Sequence, residues 1–189
     1  MKNIAAIWSS PNTDGLTASA KDQFIGGLTE AGAAVQEIHL NSKRLEHCRA
    51  CGNGWGTCQR SGVCVIKDDF GEIYDTLAAA DGIVWVSAVY WWDTTECFKA
   101  FFDRLRRCDA WANHRLAEKR CVLIACAGGT GRGVTECLQQ MERGLTHMNM
   151  RVYDRIPVVR YNRDYMLPAL HSAGETYARR LETGFDMYY

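Results

Sequence analysis

Five short apolar runs, separated by segments of helical periodicity, constrain the fold more than any other feature of this chain. They are NIAAIW (3–8), VQEIHL (35–40), GIVWVS (82–87), CVLIAC (121–126) and RVYDRIPVVR (151–160). Helical segments are expected between and after them, at 17–32 through Ala20, Phe24 and Leu28, at 69–80, 94–107 and 132–149, and from about His171 to Phe185. Asp68 or Asp69 is the expected N-cap of the second helix. Runs that are apolar throughout, rather than alternating, suit a parallel sheet covered on both faces. Five of them predict a doubly wound α/β sheet of order 2-1-3-4-5, with Pro157 marking an edge or a bend. The 189 residues fit one domain, 1–189, with 41–66 as a cysteine-rich insertion loop and no repeat or linker.

Charge narrows the function. Lys plus Arg number 22 and Asp plus Glu also 22. A balanced chain lacks the basic excess that nucleic acid or a membrane surface demands, so neither is expected as a partner. No apolar run approaches the ~20 residues of a membrane span. The opening MKNIAAIWSSP reads as a strand rather than a signal peptide, which makes the expected location cytoplasmic. Nine cysteines in that compartment argue for metal or redox work rather than structural disulfides. Cys97, Cys108, Cys121, Cys126 and Cys137 lie in apolar segments and are expected in the core.

Ligands of doubly wound sheets bind beyond the carboxyl ends of the strands, which here means the loops 9–16, 88–93 and 127–131. SSPNTDGLT carries hydroxyls at Ser9, Ser10, Thr13 and Thr17, an amide at Asn12 and flexibility at Gly15, just where a helix opens. Two readings stand: a βα turn capped by Thr17 or Asp14, or an anion cradle built from unpaired helix amides. Neither GxGxxG nor GxxxxGK[ST] is present, which disfavours dinucleotides and nucleoside triphosphates there. SAVYWWDTT supplies three adjacent aromatics, Tyr90, Trp91 and Trp92, as a ring-binding wall or as core or interface residues. AGGTGRG is either a mobile turn or a place where backbone approaches a ligand closely.

These segments together resemble the NADPH-dependent FMN reductase and iron–sulfur flavoprotein family, whose fold is flavodoxin-like. SSPNTDGLT resembles the family's GSPRxxGNTS loop, and CVIKDDF (64–70) its CVIKDDM element. ADGIVWVSAVYW (80–91) resembles ADGIVFGSPVYF, and FKAFFDRL (98–105) resembles LKAFIDR. The resemblance covers roughly residues 3–145 and implies an FMN phosphate held by Ser10, Asn12, Gly15, Leu16 and Thr17. It implies an isoalloxazine ring lined by Ala88, Val89, Tyr90 and Trp91, with Ala127, Gly128, Gly129, Thr130 and Gly131 at its pyrimidine edge. Asn12, Leu16 and Ala18 stand where the family often has Arg, Asn and Ser, so backbone amides and hydroxyls replace a cation. Ala88 replaces the usual Pro and Trp92 a small residue, which would narrow the hydride face or form a dimer contact.

HCRACGNGWGTCQRSGVC places Cys48, Cys51, Cys58 and Cys64 within seventeen residues. Thiolates so spaced can hold an iron–sulfur cluster, hold tetrahedral zinc, or act as free redox thiols. Iron–sulfur flavoproteins resemble CxxCxxC plus a fourth Cys; here Gly54 takes the third position and a four-residue insertion precedes Cys58. The five histidines show no ligand spacing, and the basic RLRRC (104–108) and NHR (113–115) could attract a nicotinamide cofactor's phosphates but read better as a solvated helix face. The expectation is an FMN-dependent oxidoreductase that takes electrons from NAD(P)H and passes them to a flavin, quinone or similar small-molecule acceptor. The alternatives are an electron carrier with FMN, a [4Fe–4S] cluster and a ferredoxin-like partner, or a thiol or zinc redox sensor. No side chain is required as acid or base, so no catalytic residue is expected, and the resemblance implies a homodimer or homotetramer.

Overall fold

A computed structural model describes residues 1–183. β1 (Asn3–Ser9), β2 (Ala34–His39), β3 (Gly82–Ala88), β4 (Arg120–Ala127) and β5 (Arg151–Val159) form one sheet of order β2-β1-β3-β4-β5. Every pairing in it is parallel. β1, β3 and β4 are buried along nearly their whole length, as their unbroken apolar runs require. β5 instead alternates between buried and exposed positions, and at this edge the missing amide hydrogen of Pro157 disrupts no outer ladder.

Helices α1 (Leu16–Glu30) and α6 (Arg163–Thr183) cover one face of the sheet around Trp8, Phe24, Val86 and Ile124. The other face carries α3 (Phe70–Ala79), α4 (Glu96–Cys108) and α5 (Val134–His147), packed around Trp85, Phe98 and Phe101, with the short α2 (Thr57–Ser61) preceding them in the chain. α1 and α6 meet at glycines. A Cβ on Gly27 would lie 1.9 Å from the His171 carbonyl oxygen, and one on Gly174 only 2.2 Å from that of Phe24. Tyr177 anchors α6 to the sheet by donating to the Arg120 carbonyl (2.8 Å) and accepting from the Ile83 amide (3.1 Å).

Three expectations need correction. α6 begins at Arg163, well before His171, because Pro168 sits on an exposed turn where water can satisfy the carbonyl it leaves unbonded. The expected end at Phe185 lies outside the described residues. α1 has Gly15 at its N-cap with no side-chain cap, so neither Thr17 nor Asp14 plays that part. The expected α3 cap, by contrast, is present: Asp69 occupies the N-cap position and Asp68 accepts from the Phe70 amide (3.3 Å), while the Asp69 carboxylate accepts from the Arg44 amide (2.8 Å). Four of the five expected core cysteines are buried, and Cys97 is only half-buried. Among the described residues no helix is long and apolar enough to cross a membrane.

Candidate functional site

The parallel register brings Ser9 opposite Ser87 and Ala88 opposite Cys126, so the loops leaving β1, β3 and β4 share one rim. Buried hydroxyls knit that rim together. Ser9 donates to Asn41 Oδ1 (2.9 Å) and contacts the Thr95 hydroxyl, while Thr95 caps α4 by accepting from the Phe98 amide (3.3 Å). The Thr95 amide in turn donates to Ser87 Oγ (3.3 Å). Val89 crosses between loops, its amide donating to the Cys126 carbonyl (2.9 Å).

In the first loop, Ser10 is buried and its hydroxyl accepts from the Asn12 amide (3.3 Å), while Asn12 Oδ1 accepts from the Asp14 amide (3.2 Å). Gly15 lies under Asn12, where a Cβ would come within 2.9 Å of Asn12 Nδ2. The first turn of α1 has neither a side-chain cap nor an acidic residue, so its amide hydrogens and positive dipole end are uncommitted. Leu16 is half-buried, and Thr17 is buried beside the Cys126 thiol. Burial pushes the Cys126 thiol up to about 12, so it stays protonated.

No cation stands in this loop. Lys21 is buried nearby over the Trp8 ring, 5.0 Å from its centroid, but its ammonium is held by Glu37 (3.0 Å) and Asp22. His39 braces the loop instead, its ring stacked on Trp8 at 3.8 Å and its Nε2 2.9 Å from the Ser10 carbonyl oxygen.

The second loop closes as a tight turn. The Tyr90 amide donates to the Asp93 carbonyl (2.8 Å) and the Asp93 amide to that of Tyr90 (3.0 Å). Its two central residues, Trp91 (φ 48°) and Trp92 (φ 65°), are both left-handed, a strained state for bulky side chains. Ala88 and Val89 are half-buried, Tyr90 is exposed, and Trp91 stands 89% exposed, so none of the three aromatics is a core residue. Trp92 rests on Gly133 (φ +82°), where a Cβ would lie 2.7 Å from Trp92 Cα. In the third loop Ala127 is buried, whereas a Cβ on Gly128 or Gly129 would meet nothing within 4 Å. Gly131 (φ +79°) turns the chain against Val159, and the Thr130 hydroxyl accepts from the Arg132 amide (3.4 Å).

Cys48, Cys51, Cys58 and Cys64 line a second pocket, with Arg49, Arg104 and Arg107 around them and buried Cys108 in the wall. This corrects the reading of RLRRC as a solvated face. Arg104 is fully buried, pairing both guanidinium nitrogens with Asp68 (2.7 and 2.8 Å) and donating to the Glu46 carbonyl (3.0 Å). Desolvation works against the Asp68 charge, yet Arg104 and the Glu46 and Phe70 amides hold its carboxyl below the usual value. Arg107 donates to the Gly54 carbonyl and lies 4.7 Å over Trp55, which packs edge-on to Trp111. Among the described residues no three of these thiol sulfurs lie within 4.8 Å of one another. A single tetrahedral zinc would draw its sulfurs to about 3.8 Å, given ~2.3 Å Zn–S bonds. The only His–carboxylate group that close among the described residues is Glu30, His171 and Glu175, between α1 and α6.

A family model described as NADPH-dependent FMN reductase matches residues 2–162. The chain belongs to that family. An iron–sulfur flavoprotein of Methanocaldococcus jannaschii is 28% identical over 159 residues, spanning 84% of this chain and 79% of that protein. Iron–sulfur flavoproteins of Archaeoglobus fulgidus and Methanosarcina thermophila are each 31% identical, over 52% and 59% of this chain. Those two matches cover only 43% and 56% of the relatives' own lengths. Among solved structures, an NAD(P)H:quinone oxidoreductase from Methanothermobacter marburgensis superposes with a TM-score of 0.71 at 19% identity, covering 93% of this chain and 98% of that one. An archaeal flavodoxin gives 0.64 at 16% identity, over 95% and 99%. Identities this low show the flavodoxin-like fold alone.

The rim of this family member fits FMN in two respects. An uncapped helix start suits a phosphate, and the bare faces of Gly128 and Gly129 leave backbone open to a flat ring. Sequence reasoning missed three residues that shape the two pockets. His39 carries no motif; Arg104 finds its carboxylate 36 positions away; and Gly133 matters only because Trp92 lies on it. The aspartate pair of CVIKDDF was the one available signal for Arg104, since a buried Asp demands a cation.

Proposed function

We propose that this protein is an FMN-dependent oxidoreductase that accepts electrons from NAD(P)H and passes them to a flavin, quinone or similar small molecule. The observation that carries the reading is the meeting of three loops at one rim, with an uncapped α1 start on one side and open glycine backbone on the other. Ser10, Asn12, Gly15, Leu16 and Thr17 would hold the phosphate. Hydrogen bonds to a charged group contribute about 1.5–3 kcal/mol each, against ~0.3–1 kcal/mol for the dipole, so converging donors dominate. Ala88 to Trp91 and Ala127 to Gly131 would flank the ring and set its environment. Bound FMN supplies the hydride and electron chemistry; the chain binds, orients and shields it. The test is anaerobic mixing of FMN-loaded protein with NADPH or NADH. Bleaching of the flavin absorbance supports the reading, and a flavin that neither donor reduces refutes it.

A second reading, an electron carrier with an iron–sulfur cluster, is supported by the thiol pocket. Four cysteines share a wall with three arginines whose charge offsets thiolates. Cys48, Cys51, Cys58 and Cys64 would be the ligands. Protein purified without oxygen and analysed for iron and acid-labile sulfide decides it: about four of each per chain supports the carrier, and neither element excludes it.

A further inference from the structure

A groove between α4 and α5 begins at Asp93 and Thr94, next to the Trp91–Trp92 turn, and ends at Arg106, Arg143 and His147. Both helices start at the rim and run away from it, so the groove descends from the flavin loops along eleven residues of α4, Glu96 to Arg106, roughly 16 Å. Phe102 floors it against Gly144, where a Cβ would lie 2.1 Å from the phenyl ring, so the helices pack closely at that point.

Charge is distributed unevenly along it. Lys99 is neutralised by Asp103, which meets it through both oxygens at 2.6 Å. At the far end no carboxylate answers the arginines. Arg106 points at His147 Nε2 (3.4 Å), and Arg143 makes no ion pair or hydrogen bond among the described residues. At the rim end, Thr94 is 7% exposed and its hydroxyl has no partner, although the groove runs past it. A buried unpaired hydroxyl above and two unanswered guanidinium groups below describe a polar ligand that is anionic at its distal end.

We infer that this groove takes the nicotinamide donor, with Thr94 near the flavin end and Arg106 and Arg143 receiving the 2′-phosphate that NADPH has and NADH lacks. This rests on the reading of the rim as an FMN site reduced by a nicotinamide. Guanidinium pairs suit phosphate oxygens geometrically, so the two arginines would set donor preference.

The test titrates FMN-loaded protein with 2′,5′-ADP by calorimetry and measures KM for both donors. Saturable 2′,5′-ADP binding is expected, competitive with NADPH. Arg106→Ala and Arg143→Ala should each weaken it about tenfold and lower the NADPH-over-NADH preference by a similar factor. Arg143 is exposed and Arg106 half-buried, and a far-UV spectrum confirms that the variants fold. Absence of 2′,5′-ADP binding, or equal effects on both donors, overturns the groove while leaving flavin reduction by NADPH intact. If neither donor reduces the flavin, the proposed function fails, and the 2′,5′-ADP titration still decides the groove.

Discussion

His39 shows how one side chain can brace a loop from beneath. The imidazole is fixed by stacking on Trp8 and reaches the Ser10 carbonyl oxygen at 2.9 Å, so it holds the backbone of the loop proposed to bind the phosphate. Its removal should loosen the phosphate end of the site only. His39→Ala is expected to weaken FMN binding about three- to tenfold, the size of one neutral hydrogen bond, while riboflavin affinity is unchanged. Equal losses for both ligands in fluorescence titrations would make His39 a general packing residue. Asp68 is the second residue with a specific consequence. Its carboxyl is depressed in the folded protein, so the stability it contributes is present above its unfolded pKa, about 3.9, and is lost as pH falls through the lower folded value. Acid unfolding followed below pH ~4 should therefore be less steep in Asp68→Asn than in the parent. At neutral pH that variant should be less stable by roughly 3–5 kcal/mol, because Arg104 is left buried and unpaired.

At the scale of elements, the contact between α1 and α6 is set by backbone rather than side chains. Gly174 lets the Phe24 carbonyl approach to where a methyl group would clash at 2.2 Å, with no flexible side chain to yield. Gly174→Ala should cost roughly 1–3 kcal/mol or more, read as a lowered urea midpoint; an unchanged midpoint would show that the helices separate freely. The sheet and most helices were legible because apolar runs and three-to-four spacing report burial directly. The start of α6 was not, since 163–169 are exposed or half-buried and carry a proline, leaving little apolar period to read. Nor was the tight turn at 90–93, because its left-handed central residues are tryptophans rather than the Gly or Asn that mark such turns. Arg104 was misread for another reason: a basic run looks solvated until the fold delivers Asp68 to it.

For the whole molecule, the doubly wound order explains why residues 10–17, 88–91 and 127–131, far apart in the chain, belong to one rim. The same topology sets the cysteine pocket apart from that rim. It lies by the far end of α4, where Arg104 is roughly 14 Å of helix from Thr95. The two candidate centres thus occupy opposite ends of one helix, and the α4–α5 groove descends beside it. The candidate site was legible as three loops with the right chemistry, but the roles of individual side chains were not. Thr17 is buried beside Cys126, and Trp91 faces solvent. The central claim is that this rim binds riboflavin 5′-phosphate. Titration of folded apoprotein with FMN, followed by quenching of flavin fluorescence, tests it most directly. Saturation at one FMN per chain is the predicted result, with riboflavin binding more weakly; fluorescence that never departs from that of free flavin would contradict it.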